Sequence, residues 1–267
     1  MNNYSLCEEK DKMSTVQLES KNGVSTITFN RPEQYNALDL ETLQAFLSVL
    51  KEVENNTDKT VILTGAGKAF SAGGDIRMMT SIDETQYEEL METLKDIALR
   101  LYTLPKIIIS AINGSAAGLG LSLALSADYM IAHEEAKLGM LFAGIGLVPD
   151  GGGHFHLKER LGVAQAKHFI WELEQVDGKA AKDLGLVDIV TDEEVTTAAQ
   201  ALAQKSLYSP VQALIQSKLI LHESKKTELA RMLDMEKQSQ LKMSQTKDHQ
   251  EGVQAFLEKR QPNFTGE

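Results

Sequence analysis

An α/β fold is predicted for this 267-residue chain by three observations. Short apolar runs alternate along the chain with stretches whose apolar residues recur at helical spacing, the pattern of strands packed on helices. Three of the apolar runs open directly into turns rich in glycine and small residues, which is where an α/β protein places backbone against a ligand. No apolar stretch approaches the roughly 18 residues that a membrane-crossing helix needs, so the apolar residues, 42% of the chain, belong to a core.

The elements follow in order. Val16 to Phe29 alternates apolar and polar residues around Asn22-Gly23, the turn dipeptide of a β-hairpin. Pro32 ends the second strand, and Asp39 caps a helix over 40–54 whose apolar residues Leu43, Phe46, Leu47 and Leu50 share one face. Thr60 to Thr64 predicts a buried strand closed by Gly65, 83–104 a helix, and Ile107 to Ile112 a second buried strand. Leu119 to Ala127 is small and apolar, as a buried helix is; 128–132 and 187–190 read as strands, and 157–173 and 178–184 as helices. From Glu193 the pattern is helical and more polar. Pro210 disfavours helix at Ser209, which puts the change to a helical C-terminal region at 209–267, after a core over 13–208 and a polar extension over 1–12. Met13 could serve as an alternative start.

Composition narrows the function. A net charge of −11 without a compensating basic run argues against nucleic acid. Polyphosphate ligands remain possible, since a few lysines and helix N-termini can hold them whatever the total charge. The single Cys7 sits in the polar extension and forms no internal disulfide, and no set of cysteines, histidines and carboxylates has the spacing of metal ligands. The N-terminus lacks the apolar centre of a signal peptide, so a cytoplasmic protein is expected, with no cofactor, no metal and no membrane partner.

Three segments carry the chemistry: Lys68-Ala69-Phe70-Ser71-Ala72-Gly73-Gly74-Asp75-Ile76, Ala111-Ile112-Asn113-Gly114-Ser115-Ala116-Ala117-Gly118-Leu119-Gly120, and Gly146-Leu147-Val148-Pro149-Asp150-Gly151-Gly152-Gly153. Together, in this order, they resemble the crotonase (enoyl-CoA hydratase/isomerase) superfamily, and the resemblance runs from about Val16 to the C-terminus. It implies a spiral of ββα units with a helical C-terminal region, acting on acyl-CoA thioesters through an enolate held by two backbone N–H groups. Losing one such donor typically raises a barrier by about 3 to 4 kcal/mol.

By resemblance the donors are the amides of Ala72 and Leu119. The hydratases of the superfamily use two glutamates; here those positions are Ser122 and Phe142, neither of which moves a proton as that mechanism requires. The carboxylate that remains is Asp150, in the Gly-Leu-Val-Pro-Asp pattern that looks like the 1,2-epoxyphenylacetyl-CoA and dienoyl-CoA isomerases. The expected function is therefore an isomerase that shifts a double bond or opens a ring epoxide in fatty or aromatic acid catabolism, with Asp150 as base. An enoyl-CoA hydratase with a different acid and base, and a non-catalytic acyl-CoA-binding protein, are the alternatives. Ser122, Phe142 and Leu147 are expected to line the acyl pocket. Arg31, Ala37, Lys68, Ala72, Gly74, Asp75, Ile76, Phe256 and Lys259 are expected at the CoA site. His154 and His156 read as helix-start or interface histidines. The resemblance also implies a homotrimer or a dimer of trimers.

Overall fold

Asn22 and Gly23, with φ of 53° and 79°, turn β1 (Val16–Lys21) back onto β2 (Val24–Phe29) in antiparallel register. The structure is a computed structural model that describes residues 14–79 and 82–267, so the polar extension, Cys7 and Met13 lie outside the described residues. From β2 the chain enters α1 (Leu40–Asn55), capped by the Asp39 carboxylate, which accepts from the Thr42 N–H at 2.8 Å.

Three turns of one motif follow. The first has β3 (Thr60–Gly65), β4 (Ala69–Ser71), the short α2 (Ile76–Met79) and α3 (Glu84–Thr103). The second has β5 (Ile107–Ile112), β6 (Ser115–Ala117) and α4 (Leu119–Leu125). The third has β7 (Tyr129–His133), β8 (Lys137–Gly139), a 3-10 turn over Leu141–Ile145 and α5 (Gly153–Trp171). The first strand of each turn joins a six-stranded sheet of order β1-β2-β3-β5-β7-β10, with β10 at Ile189–Thr191, and the second joins a four-stranded sheet of order β4-β6-β8-β9, with β9 at Val176–Asp177. β9 (Val176–Asp177), α6 (Gly178–Asp183) and β10 (Ile189–Thr191) finish the spiral.

The central strands are apolar without alternation because both faces are covered. Val61 and Leu63 of β3 point into the main core, while Ile62 between them meets Val195, Ala199 and Ala203 of α7 (Val195–Leu207) on the other side. The chain turns at Ser209-Pro210 into α8 (Val211–Glu223), then α9 (Lys226–Met243) and α10 (Lys247–Glu258). These pack on the chain's own core. Lys95 of α3 pairs with Asp234 of α9, and the backbone of α10 comes so close to the 3-10 turn that a Cβ at Gly252 would stand 2.7 Å from the Ile145 Cα.

The structure departs from the sequence reading in several elements. The four-stranded sheet was not anticipated, since Ala-Phe-Ser, Ser-Ala-Ala and Lys-Leu-Gly are too short to show a period; they become strands only because successive turns stack them. Strands β7 and β10 start later than expected, at Tyr129 and Ile189, and α5 starts earlier, at Gly153, directly behind the glycine-rich turn. No helix among the described residues is long and apolar enough to cross a membrane.

Candidate active site

The turns that follow β4 and β6 meet edge to edge. A Cβ at Gly73, whose φ is +91°, would stand 2.6 Å from the Ala117 carbonyl and 3.4 Å from the Leu119 nitrogen, and a Cβ at Gly120 would stand 2.6 Å from the Ser71 carbonyl. Glycine at both places lets two stretches of main chain touch. Over this contact lies a cavity of about 330 Å³, walled by Leu38, Leu90 and Leu94, by Phe142 on one side and by Asp150.

Which amides face that cavity follows from the backbone pairing. Leu38 donates to the Gly73 carbonyl at 2.8 Å, and Asp75 donates to the Leu38 carbonyl at 3.0 Å. In a parallel bridge of this kind the intervening residue directs its own N–H to the opposite side. Gly74 is that residue, and among the described residues its amide has no acceptor. Leu119 is the first residue of α4, where an N–H has no intrahelical acceptor, and among the described residues none outside the helix takes it either. Both residues line the cavity.

The expectation for Ala72 needs correction. Ala72 lines the cavity too, but its N–H donates to the Tyr35 carbonyl at 2.9 Å and is not available to a ligand. The free amide of this turn belongs to Gly74, two residues on.

Asp150 is the one carboxylate among the described residues that line the cavity. It is buried, at 7% exposure, and follows Pro149 at the mouth of the glycine-rich turn that opens α5. Its Oδ2 accepts from the Gln240 Nε2 at 2.8 Å, whereas Oδ1 is buried with no partner among the described residues. Burial pushes its pKa up to about 8, and the nearby Glu236 carboxylate adds to the rise, while the Gln240 hydrogen bond opposes it. The same burial, with Asp150 next to it, pushes the Tyr87 hydroxyl above its ordinary range.

These partners come from far along the chain. Gln240 lies on α9 and also donates to the Val148 carbonyl at 2.7 Å; Tyr87, on α3, reaches the Gln240 Oε1 at 3.5 Å. Glu236, one helical turn before Gln240, is 3% exposed and accepts from the Gly152 N–H at 2.8 Å and the His154 N–H at 3.1 Å, closing the N-terminus of α5. Gln240, Glu236 and Tyr87 were absent from the sequence reading. Their only trace there is a polar residue at a helix position that turns inward, and that direction is invisible until the helix is docked.

The remaining expected residues divide. Ile76, Phe142 and Phe256 line the cavity, Phe256 at its mouth with 57% exposure. Ser122 and Leu147 do not. Ser122 is fully buried between α4 and α5, its Oγ 3.8 Å from the Met140 sulfur, and Leu147 packs into the core. A serine one turn into α4 faces the neighbouring helix, so it fills a packing gap where a ligand was expected. Arg31 braces its own loop, bonded to the Ala37 carbonyl at 2.6 Å and paired with Asp39 at 3.0 Å and Asp75 at 3.5 Å. Lys68 and Lys259 are exposed outside the cavity wall. His154 and His156 occupy the first turn of α5. Burial, helped by Arg160 and His222, holds His156 neutral with its pKa down at about 3.

The profile of the family described as enoyl-CoA hydratase/isomerase matches residues 19–267. The chain is 44% identical over 253 residues to YhaR of Bacillus subtilis (strain 168), which carries a provisional enoyl-CoA hydratase/isomerase name, covering 94% of this chain and 99% of that one. It is 36% identical over 250 residues to the 1,2-epoxyphenylacetyl-CoA isomerase of Escherichia coli (strain K12), covering 91% and 95%. Among solved structures, an enoyl-CoA hydratase from Mycobacterium avium subsp. paratuberculosis K-10 superposes with a TM-score of 0.86 at 28% identity, covering 94% of this chain and 98% of the other.

Proposed function

The chain belongs to the enoyl-CoA hydratase/isomerase family, and within it we propose an acyl-CoA isomerase that moves a double bond by proton transfer through Asp150. The observation that carries this reading is the cavity's acid–base inventory. One carboxylate with a free oxygen faces the cavity, Phe142 takes the place of one of the glutamates a hydratase would use, and Ser122, at the other, is packed away from the cavity.

The thioester carbonyl lies between the amides of Gly74 and Leu119, so that charge developing on its oxygen is met by two N–H groups already aimed there. Asp150 Oδ1 takes a proton from a carbon conjugated with the carbonyl, and the C–H electron pair passes into an enolate extended over the double bond. The carboxylic acid so formed returns the proton to another carbon of that system. Atoms and charge balance, no water is consumed, and a single group suffices. A carboxylate whose pKa lies near the working pH serves both half-steps, because neither giving nor taking the proton is steeply uphill.

Lys68 and Lys259, as point charges, and the Phe256 ring suit the phosphates and adenine of coenzyme A. The acyl group is an apolar one, given the leucines and phenylalanine around the cavity. Tyr208 at the end of α7 and Ile220 and Leu221 of α8 leave apolar surface, at 89%, 73% and 69% exposure, that suits a contact between copies; the assembly proposed is a homotrimer or dimer of trimers, in the cytoplasm.

Enoyl-, dienoyl- and aromatic-ring acyl-CoA thioesters assayed for both double-bond migration and water addition test the reading. Migration on at least one apolar substrate, with little 3-hydroxyacyl product from crotonyl-CoA, is expected. Robust hydration of crotonyl-CoA overturns it.

A further inference from the structure

The acidic and polar residues of α9 have a defined relation to the group that moves the proton. Gln240 uses both N–H bonds of its side-chain amide, one on the Val148 carbonyl at 2.7 Å and one on Asp150 Oδ2 at 2.8 Å. That fixes the amide's orientation and holds the carboxyl group by one oxygen. The other, Oδ1, is buried and has no partner among the described residues. Glu236 sits one turn earlier on the same helix, bonded to the N–H groups of Gly152 and His154 and to the His154 ring nitrogen at 2.9 Å. Those N–H groups open α5, and they follow directly on Asp150. Without Glu236 the positive end of α5 would be free to stabilise a charge on Asp150.

We propose that Gln240 and Glu236 are positioning residues that make Asp150 a working base, Gln240 by fixing which oxygen reacts and Glu236 by occupying the helix end that would otherwise weaken the base. This rests on Asp150 being the proton-carrying group. The two residues act in opposite senses: a hydrogen bond to the carboxylate favours its charged form, whereas a second buried carboxylate disfavours it. Other titratable groups around the pair are Tyr87 from α3, His154 and His156 from α5, Glu228 and Arg231 earlier on α9, and His249 of α10, whose ring is bonded to the Ile145 carbonyl.

The test is the pH profile of kcat/KM for the intact chain on the best isomerisation substrate, for wild type, Glu236→Gln, Gln240→Leu, His154→Gln and Asp150→Asn. Glu236→Gln keeps the side chain's shape and is expected to move the rising limb down by about one pH unit, with kcat at the plateau lower by about tenfold because the base is weaker. Gln240→Leu is expected to move the limb up and to lower kcat more than it changes KM. His154→Gln keeps the limb, which assigns the shift seen in Glu236→Gln to Glu236 and not to the side chain it pairs with.

Limbs that stay in place in both α9 variants while Asp150→Asn is inactive overturn this inference and leave the isomerase reading standing. An active Asp150→Asn overturns the reading itself. Should Gln240→Leu fail to fold, judged by loss of the wild-type circular dichroism, the Glu236→Gln limb alone decides.

Discussion

Two carboxylates, the half-buried Asp128 and the buried Asp150, are treated in opposite ways by the same fold. Asp128 Oδ2 accepts from the Ile108 N–H at 2.8 Å and from the Lys218 ammonium at 2.7 Å, and Lys218, itself buried, donates again to the Lys106 carbonyl at 2.8 Å. This carboxylate holds a cationic partner and ties α8 to the sheet. Asp150 receives one hydrogen bond from a side chain, a neutral one, and faces a second carboxylate. Both partners, Lys218 and Gln240, come from the helices after Ser209, so one region of the chain completes the first carboxylate and deliberately under-serves the second. Where burial is compensated the group holds the fold together; where it is not, the group is left with chemistry to do.

The largest expected effect separates the two directly. Asp150→Asn lowers kcat by about 100- to 10,000-fold while CoA-thioester affinity stays within a few-fold, because shape is kept and the base is lost. Lys218→Met does the reverse: turnover per folded molecule is retained, and stability falls by about 1 to 3 kcal/mol because the half-buried Asp128 loses its ammonium partner and the Lys106 carbonyl its donor. Steady-state kinetics, calorimetric binding and urea unfolding of both variants check this. Loss of turnover in folded Lys218→Met would erase the distinction.

The backbone side of the cavity sharpens the comparison. Leu119 is the first residue of α4, a place proline tolerates, so Leu119→Pro removes the N–H without breaking the helix. It is expected to lower kcat by about 100- to 1,000-fold, whereas Leu119→Ala, which keeps the amide, costs far less activity. Equal losses in the two variants would assign the effect to packing of the leucine side chain.

Smaller effects appear in stability against pH. The folded pKa of Asp150, about 8, lies above its unfolded value of about 3.9, so the folded state holds the extra proton and stability falls as pH rises through that window. Asp150→Asn removes that fall and is therefore expected to be more stable than wild type at pH 9, by about 1 to 3 kcal/mol. His156 has the opposite sign. Its folded pKa of about 3 lies below the unfolded value of about 6.5, so stability present above pH 6.5 is lost as pH falls toward 3, in wild type and variant alike. Urea titrations at pH 5, 7 and 9 resolve the two contributions.

Much of the molecule was legible in the sequence by itself. The hairpin at Asn22-Gly23, the long helices, the buried strands 60–64 and 107–112 and the three glycine-rich turns depend on short-range patterns: turn chemistry, helical period and apolar runs; the expectations for Asp150 and for Ser122 and Phe142 at the two glutamate positions came from the family resemblance. Local geometry is written locally. The tertiary structure decided the rest. Ala72 and Gly74 look alike as donors until Leu38 bridges to the second turn and Tyr35 takes the Ala72 amide, since an N–H direction depends on what pairs with its neighbours. Ser122 and Leu147 turned into the core for the same reason that the short strands β4, β6 and β8 formed, because stacking of successive turns chose their faces. Glu236 and Gln240 are two polar residues in a polar helix as sequence; docking α9 against α3 and the start of α5 brings them to Asp150, and only then does that carboxylate acquire a free oxygen, a partner and a raised pKa.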